Sequence, residues 1–215
     1  MATKQGTTCI LCGSGTEFFG FARDRRYYKC PSCFSVMMDP DHYVTSQEEK
    51  ARYETHNNDV DDPAYQKFVS PIVNQIMHHH TSAEKGLDFG SGTGPVITKL
   101  LRDQGFNIRT YDPFFNADLS ALESTYHYIA CCEVVEHFQE PAREFKKLRN
   151  LLKPGGSLYC MTSLYNPGID FDSWNYKDDE THVIFYHRKA LEWIRKDAGF
   201  KRLEIHDNRL FVLEA

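Results

Sequence analysis

No stretch of this sequence approaches the roughly 18 consecutive apolar residues needed to span a bilayer, so a membrane-embedded chain is not expected. The opening residues, Met-Ala-Thr-Lys-Gln-Gly, lack the apolar core of a secretory signal. The expectation is a soluble, cytoplasmic protein. Neither sign of charge dominates: the net charge is −5 over 215 residues, which gives no global nucleic-acid signature. The balance is uneven, however. Residues 1–40 carry five bases (Lys4, Arg23, Arg25, Arg26, Lys29) and three acids (Glu17, Asp24, Asp39), a sum of +2 that leaves −7 for the rest. The seven cysteines are an odd number, which excludes complete internal disulfide pairing. A hydrophobic content of 41% at this length suits one main domain with a small appendage.

Four of the cysteines form two short pairs, Cys9-x2-Cys12 and Cys30-x2-Cys33, with 17 residues between the pairs. This matches a zinc pattern in which two knuckles are brought together by a hairpin. Cys9, Cys12, Cys30 and Cys33 are therefore the expected ligands of a structural Zn2+. Residues 1–40 then form a zinc ribbon, with strand–turn–strand over the aromatic and basic run Phe18–Lys29. So small a segment needs a metal to fold. The ribbon is read first as a staple. The alternative is a substrate platform, because bases beside exposed aromatics can hold phosphates or stack on rings. Cys131, Cys132 and Cys160 lie in apolar runs and read as core residues.

The stretch Gly86–Pro95 organises the remainder. An apolar run ends in Asp88, and Gly90, Gly92 and Gly94 then alternate ahead of Val96, Ile97, Leu100 and Leu101 at helical spacing. This reads as strand, glycine turn and helix start, with free N–H groups facing a ligand. A second strand ends in Asp112, 24 positions after Asp88. That is close to the offset of a ribose-binding carboxylate in a nucleotide-binding βαβ unit. Farther on come Glu133-Val-Val-Glu-His137 with Pro141, and Leu151-Leu-Lys-Pro-Gly-Gly156.

These four stretches together resemble class I S-adenosylmethionine-dependent methyltransferases, in the branch that includes ubiquinone-biosynthesis O-methyltransferases. The resemblance runs from about Gly86 to the C-terminus. It implies S-adenosylmethionine bound across Asp88, Gly90, Ser91, Gly92 and Gly94, with Asp112 on the ribose. Glu133 and Val134 would lie at the end of the fourth strand, and because the segment after Asp112 is too short for the family's usual adenine contact, Pro113, Phe114 and Phe115 are expected to pack against the adenine instead. It also implies that helices ahead of the first strand close over the cofactor. Tyr53, His56, Asn57 and Tyr65 are then lid candidates, or else ordinary surface and core residues.

The expected architecture is α/β: a doubly wound, mostly parallel Rossmann-like sheet with a final antiparallel hairpin. The divisions are a ribbon at 1–40, a helical lid segment at 41–80 and a cofactor-binding domain at 81–215. Residues 46–56 are helix-prone, and Asp61 or Asp62 with Pro63 starts a second helix, which Pro71 should kink or break. His78, His79 and His80 read as a solvated helix end. Only about 14 residues separate Asp112 from the next strand near Tyr126, so either the family's third strand or the following helix is trimmed.

In such enzymes the cofactor carries its own leaving group, and the protein holds a nucleophile close and in line. The loop Ser163–His182 is long, which suggests a substrate-selecting role. Trp174 and Tyr176 could wall an acceptor there. His182 is the first candidate base, with the alternative that it only packs. His137 is a second candidate, or an orienting residue, and Tyr176 completes the catalytic set. A small-molecule acceptor is the leading expectation. A zinc-ribbon RNA methyltransferase using Arg23, Arg25, Arg26 and Lys29 is the disfavoured alternative, and a non-catalytic binding module is a third. The sequence gives no oligomeric state.

Overall fold

The computed structural model describes residues 7–56 and 58–215, so Lys4 and the lid candidate Asn57 lie outside the described residues. The N-terminal segment forms β1 (Glu17–Ala22), β2 (Arg25–Lys29) and β3 (Val36–Met38), an antiparallel meander. A fourth strand joins its edge from far along the chain: β8 (Ile184–Phe185) pairs antiparallel with β3. The sequence pattern signalled neither three-residue β3 nor two-residue β8, both too short for a period-2 alternation to register. Tyr27, Val36 and Met38 pack with Tyr165, Phe171 and Phe185 in one cluster. The ribbon therefore buries its apolar face against the loop that precedes β8.

The main sheet contains β4 (Lys85–Phe89), β5 (Asn107–Tyr111), β6 (Tyr126–Cys132), β7 (Leu152–Met161), β9 (Arg202–Ile205) and β10 (Leu210–Glu214). Its spatial order is β5-β4-β6-β7-β10-β9. The first four are parallel, and β10 runs antiparallel between β7 and β9. Helices α2 (Pro63–His79) and α3 (Val96–Asp103) cover one face through Val69, Ile72, Ile76, Ile97 and Leu101. Helices α4 (Pro141–Asn150) and α5 (Arg188–Asp197) cover the other through Phe145, Leu148, Leu191 and Ile194. This is the doubly wound arrangement expected. Among the described residues, no helix is long and apolar enough to cross a membrane.

Several local features differ from expectation. Pro71 does not interrupt α2, which runs from Pro63 to His79. Proline lacks the N–H that would bond the carbonyl four residues back, but the Ser70 hydroxyl donates to that carbonyl, Lys67 O, at 2.8 Å. The helix starts as expected, with Asp62 accepting from the Ala64 N–H. His80 is not solvated like His78 and His79: its Nε2 lies 3.0 Å from the Tyr159 hydroxyl. Between Asp112 and Tyr126, neither a strand nor an α-helix forms among the described residues, only a 3-10 turn at Leu119–Glu123. Trimming is thus more complete than expected, and β5 becomes an edge. Lys153–Gly156 lies within β7 as a bulge, where the register with β6 shifts between Tyr126 and Tyr128.

Gly86 sits where β4 crosses beneath the Tyr128 ring. A Cβ built there would come within 2.1 Å of ring carbons. The ring is itself held by His80, with centroids 4.8 Å apart. Overpacking of this kind costs about 1–3 kcal/mol. Gly86→Ala should lower the urea midpoint accordingly, and an unchanged midpoint would mean the ring yields freely.

Candidate active site

A cavity of about 740 Å³ opens at the C-terminal ends of β4, β5 and β6, where open α/β sheets bind ligands. Three loops form its floor. Gly90, Ser91 and Gly92 follow β4, Asp112 to Phe115 follow β5, and Cys132, Glu133 and Val134 end β6. The roof comes from the segment ahead of the first sheet strand. Helix α1 (Ser46–Glu54) contributes Glu49 and Tyr53, α2 contributes Tyr65 and Phe68, and the link between them contributes His56 and Asn58. Helix α1 starts on a reciprocal cap, Thr45 with Glu48. It buries no residue of its own. Its ties to the body include the Arg52–Asp179 ion pair at 2.8 Å and the Tyr53 ring, edge-on to His137 at 5.4 Å and near Phe114 at 5.9 Å.

The alternating glycines have separable reasons. Gly90 and Gly92 adopt φ of +75° and +63°, the left-handed region that glycine enters without cost to a Cβ. A Cβ on Gly90 would also strike Val134, and one on Gly94 would lie 1.8 Å from the Asn58 carbonyl oxygen. Gly94 therefore admits the roof rather than lining the cavity. Asp112 is buried and ties two loops together. One carboxylate oxygen accepts the Gly92 N–H at 2.9 Å, and the other accepts those of Phe114 and Phe115 at 2.8 and 3.0 Å. Asp88 does not face the cavity. It lies beneath the glycine turn and accepts the Thr98 hydroxyl at 2.8 Å, fastening α3 to β4. Burial pushes its carboxyl up to about 6 against the opposing hydrogen bonds of Thr98.

The catalytic candidates divide in the same way. His137 and His182 line the cavity, with ring centroids 4.8 Å apart. Each Nδ1 lies against a backbone carbonyl, Thr181 O at 3.0 Å for His137 and Tyr176 O at 2.7 Å for His182. Burial depresses both imidazoles, His137 to about 4, where the Thr181 hydrogen bond opposes it, and His182 in the same direction against the pull of Glu136. His137 is therefore neutral near pH 7. Tyr176 is outside this cavity. Its hydroxyl donates to Glu136 and lies 3.0 Å from the Thr162 hydroxyl. Trp174, a possible acceptor wall, packs instead against Phe185 at 5.0 Å and Tyr176 at 5.4 Å.

The sequence reading missed Glu49, Asn58, Phe68, Glu144 and Lys147 as lining residues. All sit on helices or links with no motif of their own. Glu136 was visible inside the Glu-Val-Val-Glu-His pattern, yet its complete burial was not. Aromatic side chains make up much of the wall, and among its charged residues the carboxylates of Glu49, Asp112, Glu133, Glu140, Glu144 and Asp179 outnumber the one lysine, Lys147. Burial would raise the Asp179 carboxyl, but hydrogen bonds from Thr181 and the nearby His182 and Arg52 hold it well below the usual carboxylate range.

Of the ribbon's described bases, Arg25, Arg26 and Lys29 engage the protein, while Arg23 stays exposed. Arg25 is buried and donates to the carbonyls of Lys177 and Asp178. Arg26 pairs with Asp39 at 3.0 Å, and Lys29 lies over the Phe19 and Tyr165 rings. Arg23 lies 3.9 Å from Asp178. At the ribbon tip, Cys9 Sγ is 3.6 Å from Cys33 Sγ and Cys12 Sγ is 3.5 Å from Cys30 Sγ. Tetrahedral thiolates about 2.3 Å from a zinc ion sit roughly 3.8 Å apart, so the cluster fits such an ion. The Cys12 and Cys33 N–H groups donate to Cys9 and Cys30 Sγ, as knuckles that stabilise thiolates do.

Glu133 has a left-handed backbone, φ +52°, a conformation that non-glycine residues hold only when their surroundings enforce it. Burial first, and then the charge of Glu136, push its carboxyl up to about 7 against the pull of Arg209. The folded state thus binds a proton more tightly than the unfolded chain between about pH 4.5 and 7. Stability contributed by this group falls as pH rises through that window. Urea unfolding of Glu133→Gln and wild type should converge at the acid end, with the variant gaining relative stability toward pH 7. A constant difference across the window would remove this assignment.

A methyltransferase-domain family matches residues 12–205. The ubiquinone biosynthesis O-methyltransferase of Paraburkholderia xenovorans is 28% identical over 109 residues, covering 40% of this chain and 47% of the relative. The chain thus spans about half the length of the curated relatives it matches. An O-methyltransferase family protein of Burkholderia thailandensis shares the fold, with TM-score 0.55 at 14% identity over 77% of this chain and 62% of that one. So does a chain of the complex between the Haloferax volcanii Trm112 methyltransferase activator and a candidate methyltransferase, with TM-score 0.57 at 13% identity, covering 79% and 95%. With the family matched over most of its length, and the glycine turn, Asp112 and Glu133 gathered at one cavity, this chain belongs to the methyltransferase-domain family.

Proposed function

We propose that the protein transfers the methyl group of S-adenosylmethionine to a small-molecule acceptor. One observation carries this reading: a roofed, largely aromatic cavity at the ends of the parallel strands, whose charged lining is six carboxylates and one lysine. Carboxylate walls repel a phosphate backbone, whose binding rests on basic contacts. The inward engagement of Arg25, Arg26 and Lys29 leaves the ribbon poorly placed to hold RNA. The naming of the curated relatives as O-methyltransferases points to an oxygen nucleophile.

The cofactor, when bound, supplies an electrophilic methyl on a positively charged sulfur. The chain's own residues do the rest. Asp112 keeps acceptor capacity beyond its three backbone donors, since a carboxylate offers about four lone-pair sites, and it receives the ribose hydroxyls. Ser91 and the open backbone at Gly90 and Gly92, Pro113 and Phe114 after β5, and Val134 and Glu133 after β6 would hold the cofactor, with Pro113 and Phe114 packing against its adenine. Tyr65 and Tyr53 close the roof and exclude water. The acceptor would lie beneath Tyr53, beside His137 and His182, the two histidines of the cavity wall. Residues 41–80 act as the lid, 81–215 as the catalytic domain, and 1–40 as a ribbon held by a structural zinc ion on Cys9, Cys12, Cys30 and Cys33.

Charge-assisted hydrogen bonds contribute about 1.5–3 kcal/mol each. Asp112→Asn should therefore weaken S-adenosylmethionine binding roughly tenfold or more in calorimetry. An unchanged dissociation constant would remove the ribose assignment. Transfer of radiolabelled methyl into a metabolite pool, but not into an RNA pool, is the expected activity; labelling of RNA alone would overturn the small-molecule reading. For the ribbon, metal analysis should find about one zinc per chain, lost in Cys33→Ser. Metal-free protein with free, unmodified thiols would refute the zinc assignment.

A further inference from the structure

Asp179 and His182 line two spaces, the main cavity and a second recess of about 500 Å³. Three parts of the chain wall that recess. The ribbon supplies Arg23, α1 supplies Arg52, and the loop ahead of β8 supplies Asn175, Tyr176, Asp178 and Glu180. The ribbon also fixes this loop from behind. Arg25 donates to the Lys177 and Asp178 carbonyls at 3.3 and 3.1 Å, and the Tyr27 hydroxyl donates to Lys177 O at 3.4 Å. Folding alone gives no reason for an arginine at position 23. Ala22 pairs with Arg25, so Arg23 and Asp24 make the whole turn between β1 and β2. Arg23 has φ +55°, where glycine fits without cost and a side chain is strained. Its side chain is 67% exposed, and its 3.9 Å contact with Asp178 is too long for a hydrogen bond. Strained backbone of this kind is concentrated where it serves a ligand.

The surrounding charges leave a positive remainder. Asp178 accepts from Lys177 Nζ at 3.2 Å. Asp179 accepts the Thr181 N–H and hydroxyl on Oδ1 and Arg52 on Oδ2. Both carboxylates are therefore matched by their own neighbours. Glu180 is exposed, where water and salt screen it. Arg25, by contrast, is buried; the groups it bonds are neutral carbonyls, and its Nη1 has no partner. A buried guanidinium behind the loop and a loosely held one at its mouth both favour an anion in the recess.

We propose that this recess holds the anionic end of the methyl acceptor, a carboxylate or phosphate group received by the Arg23 guanidinium with the Asn175 amide beside it. A guanidinium presents five donors in a flat fork that matches the paired oxygens of either group. Because Asp179 and His182 belong to both walls, one molecule can occupy both spaces. Its oxyanion lies under the ribbon turn, and its nucleophile lies in the main cavity. The acceptor class is accordingly a small hydroxyl compound that carries a carboxylate or phosphate at its other end. One exposed arginine suits one such group and not the run of phosphates on an RNA. The ribbon thereby selects the substrate as well as bracing the loop. Calling the bound anion a methyl acceptor rests on the methyltransferase reading; the anion site does not.

The experiment titrates the full chain with inorganic phosphate and with phenylacetate, and with methyl phenylacetate as the neutral control. Nuclear magnetic resonance follows the Arg23 Nε–H and the Asn175 side-chain amide. Both signals should move and saturate with at least one anion and stay still with the ester; the tighter anion names the group. Arg23→Gly, read at Asn175, should weaken that binding roughly tenfold or more, the loss of a charge-assisted contact. Glycine accepts φ +55°, so this variant should keep or raise the urea midpoint and retain its affinity for S-adenosylmethionine. Label transferred from radioactive cofactor into a metabolite pool should be held by an anion-exchange resin at neutral pH. Arg23→Gly should raise the pool concentration needed for half-maximal labelling. The proposal is overturned if neither anion moves either signal, if the affinity survives Arg23→Gly unchanged, or if the labelled product passes through the resin. Anion binding by protein that fails to bind S-adenosylmethionine, or that binds it and labels nothing, keeps the site and sinks the methyltransferase reading instead.

Discussion

Two backbone hydrogen bonds meet at Val183 and hold distant parts of the chain in register. Met38 N–H donates to its carbonyl at 2.9 Å, and its own N–H donates to the Glu136 carbonyl at 2.9 Å. The first belongs to the ribbon and the second to the turn that ends the central strand β6. Between them they fix where His182, the preceding residue, enters the cavity. The aromatic cluster of Tyr27, Phe171 and Phe185 reinforces this seam from behind. The ribbon is thus part of the scaffold that aims a site residue. Loosening β3 would release β8 and the histidine beside it.

The site is built from groups that oppose folding. A carboxylate without solvent at Glu136, a second at Asp88 and a left-handed Glu133 each cost stability in isolation. The chain offsets them locally: Thr98 donates to Asp88, Tyr176 to Glu136 and Arg209 to Glu133 at 3.1 Å. Tyr176 matters here through its hydroxyl and its backbone carbonyl together. The first reaches Glu136 and the second holds the His182 ring. One residue outside the cavity therefore orients a wall residue, His182, and holds the buried Glu136 carboxylate.

The fold was legible where periodicity and turn chemistry agreed. The glycine turn, the second strand at Asn107–Tyr111 and the cap at Asp62 all appear where the residues indicated. Legibility failed where structure depends on non-local partners. β8 is a strand only because β3 lies beside it, and Pro71 stays helical because a neighbouring serine satisfies the orphaned carbonyl. The site was half visible. Gly90, Gly92, Asp112, Glu133 and His137 announced themselves through motif, and the structure brings them to one cavity. Asp88 and Gly94 belong to the same motif but serve packing. The roof residues Glu49, Asn58 and Phe68 carry no local signal, since tertiary folding alone decides which polar helix lies over which loop.

The loss of the usual third strand and helix leaves β5 as a sheet edge, and the chain blunts it with its own turn. Asp112 and Asn116 exchange backbone hydrogen bonds, the Asn116 amide reaches Thr110, and Arg109 grips Asp118 and Ser120. This knot of short-range polar contacts discourages edge-to-edge association. The tip itself, 116–120, is exposed. It begins one residue after the wall formed by Asp112 to Phe115, so it is a point of entry for a reporter. Exposed loop tips accept inserted domains, and a fluorescent module spliced there would be mechanically joined to the ligand-holding turn. An insertion there would have to spare the Asn116, Asp118 and Ser120 contacts that blunt the edge, which leaves Ala117 and Leu119 as its entry points.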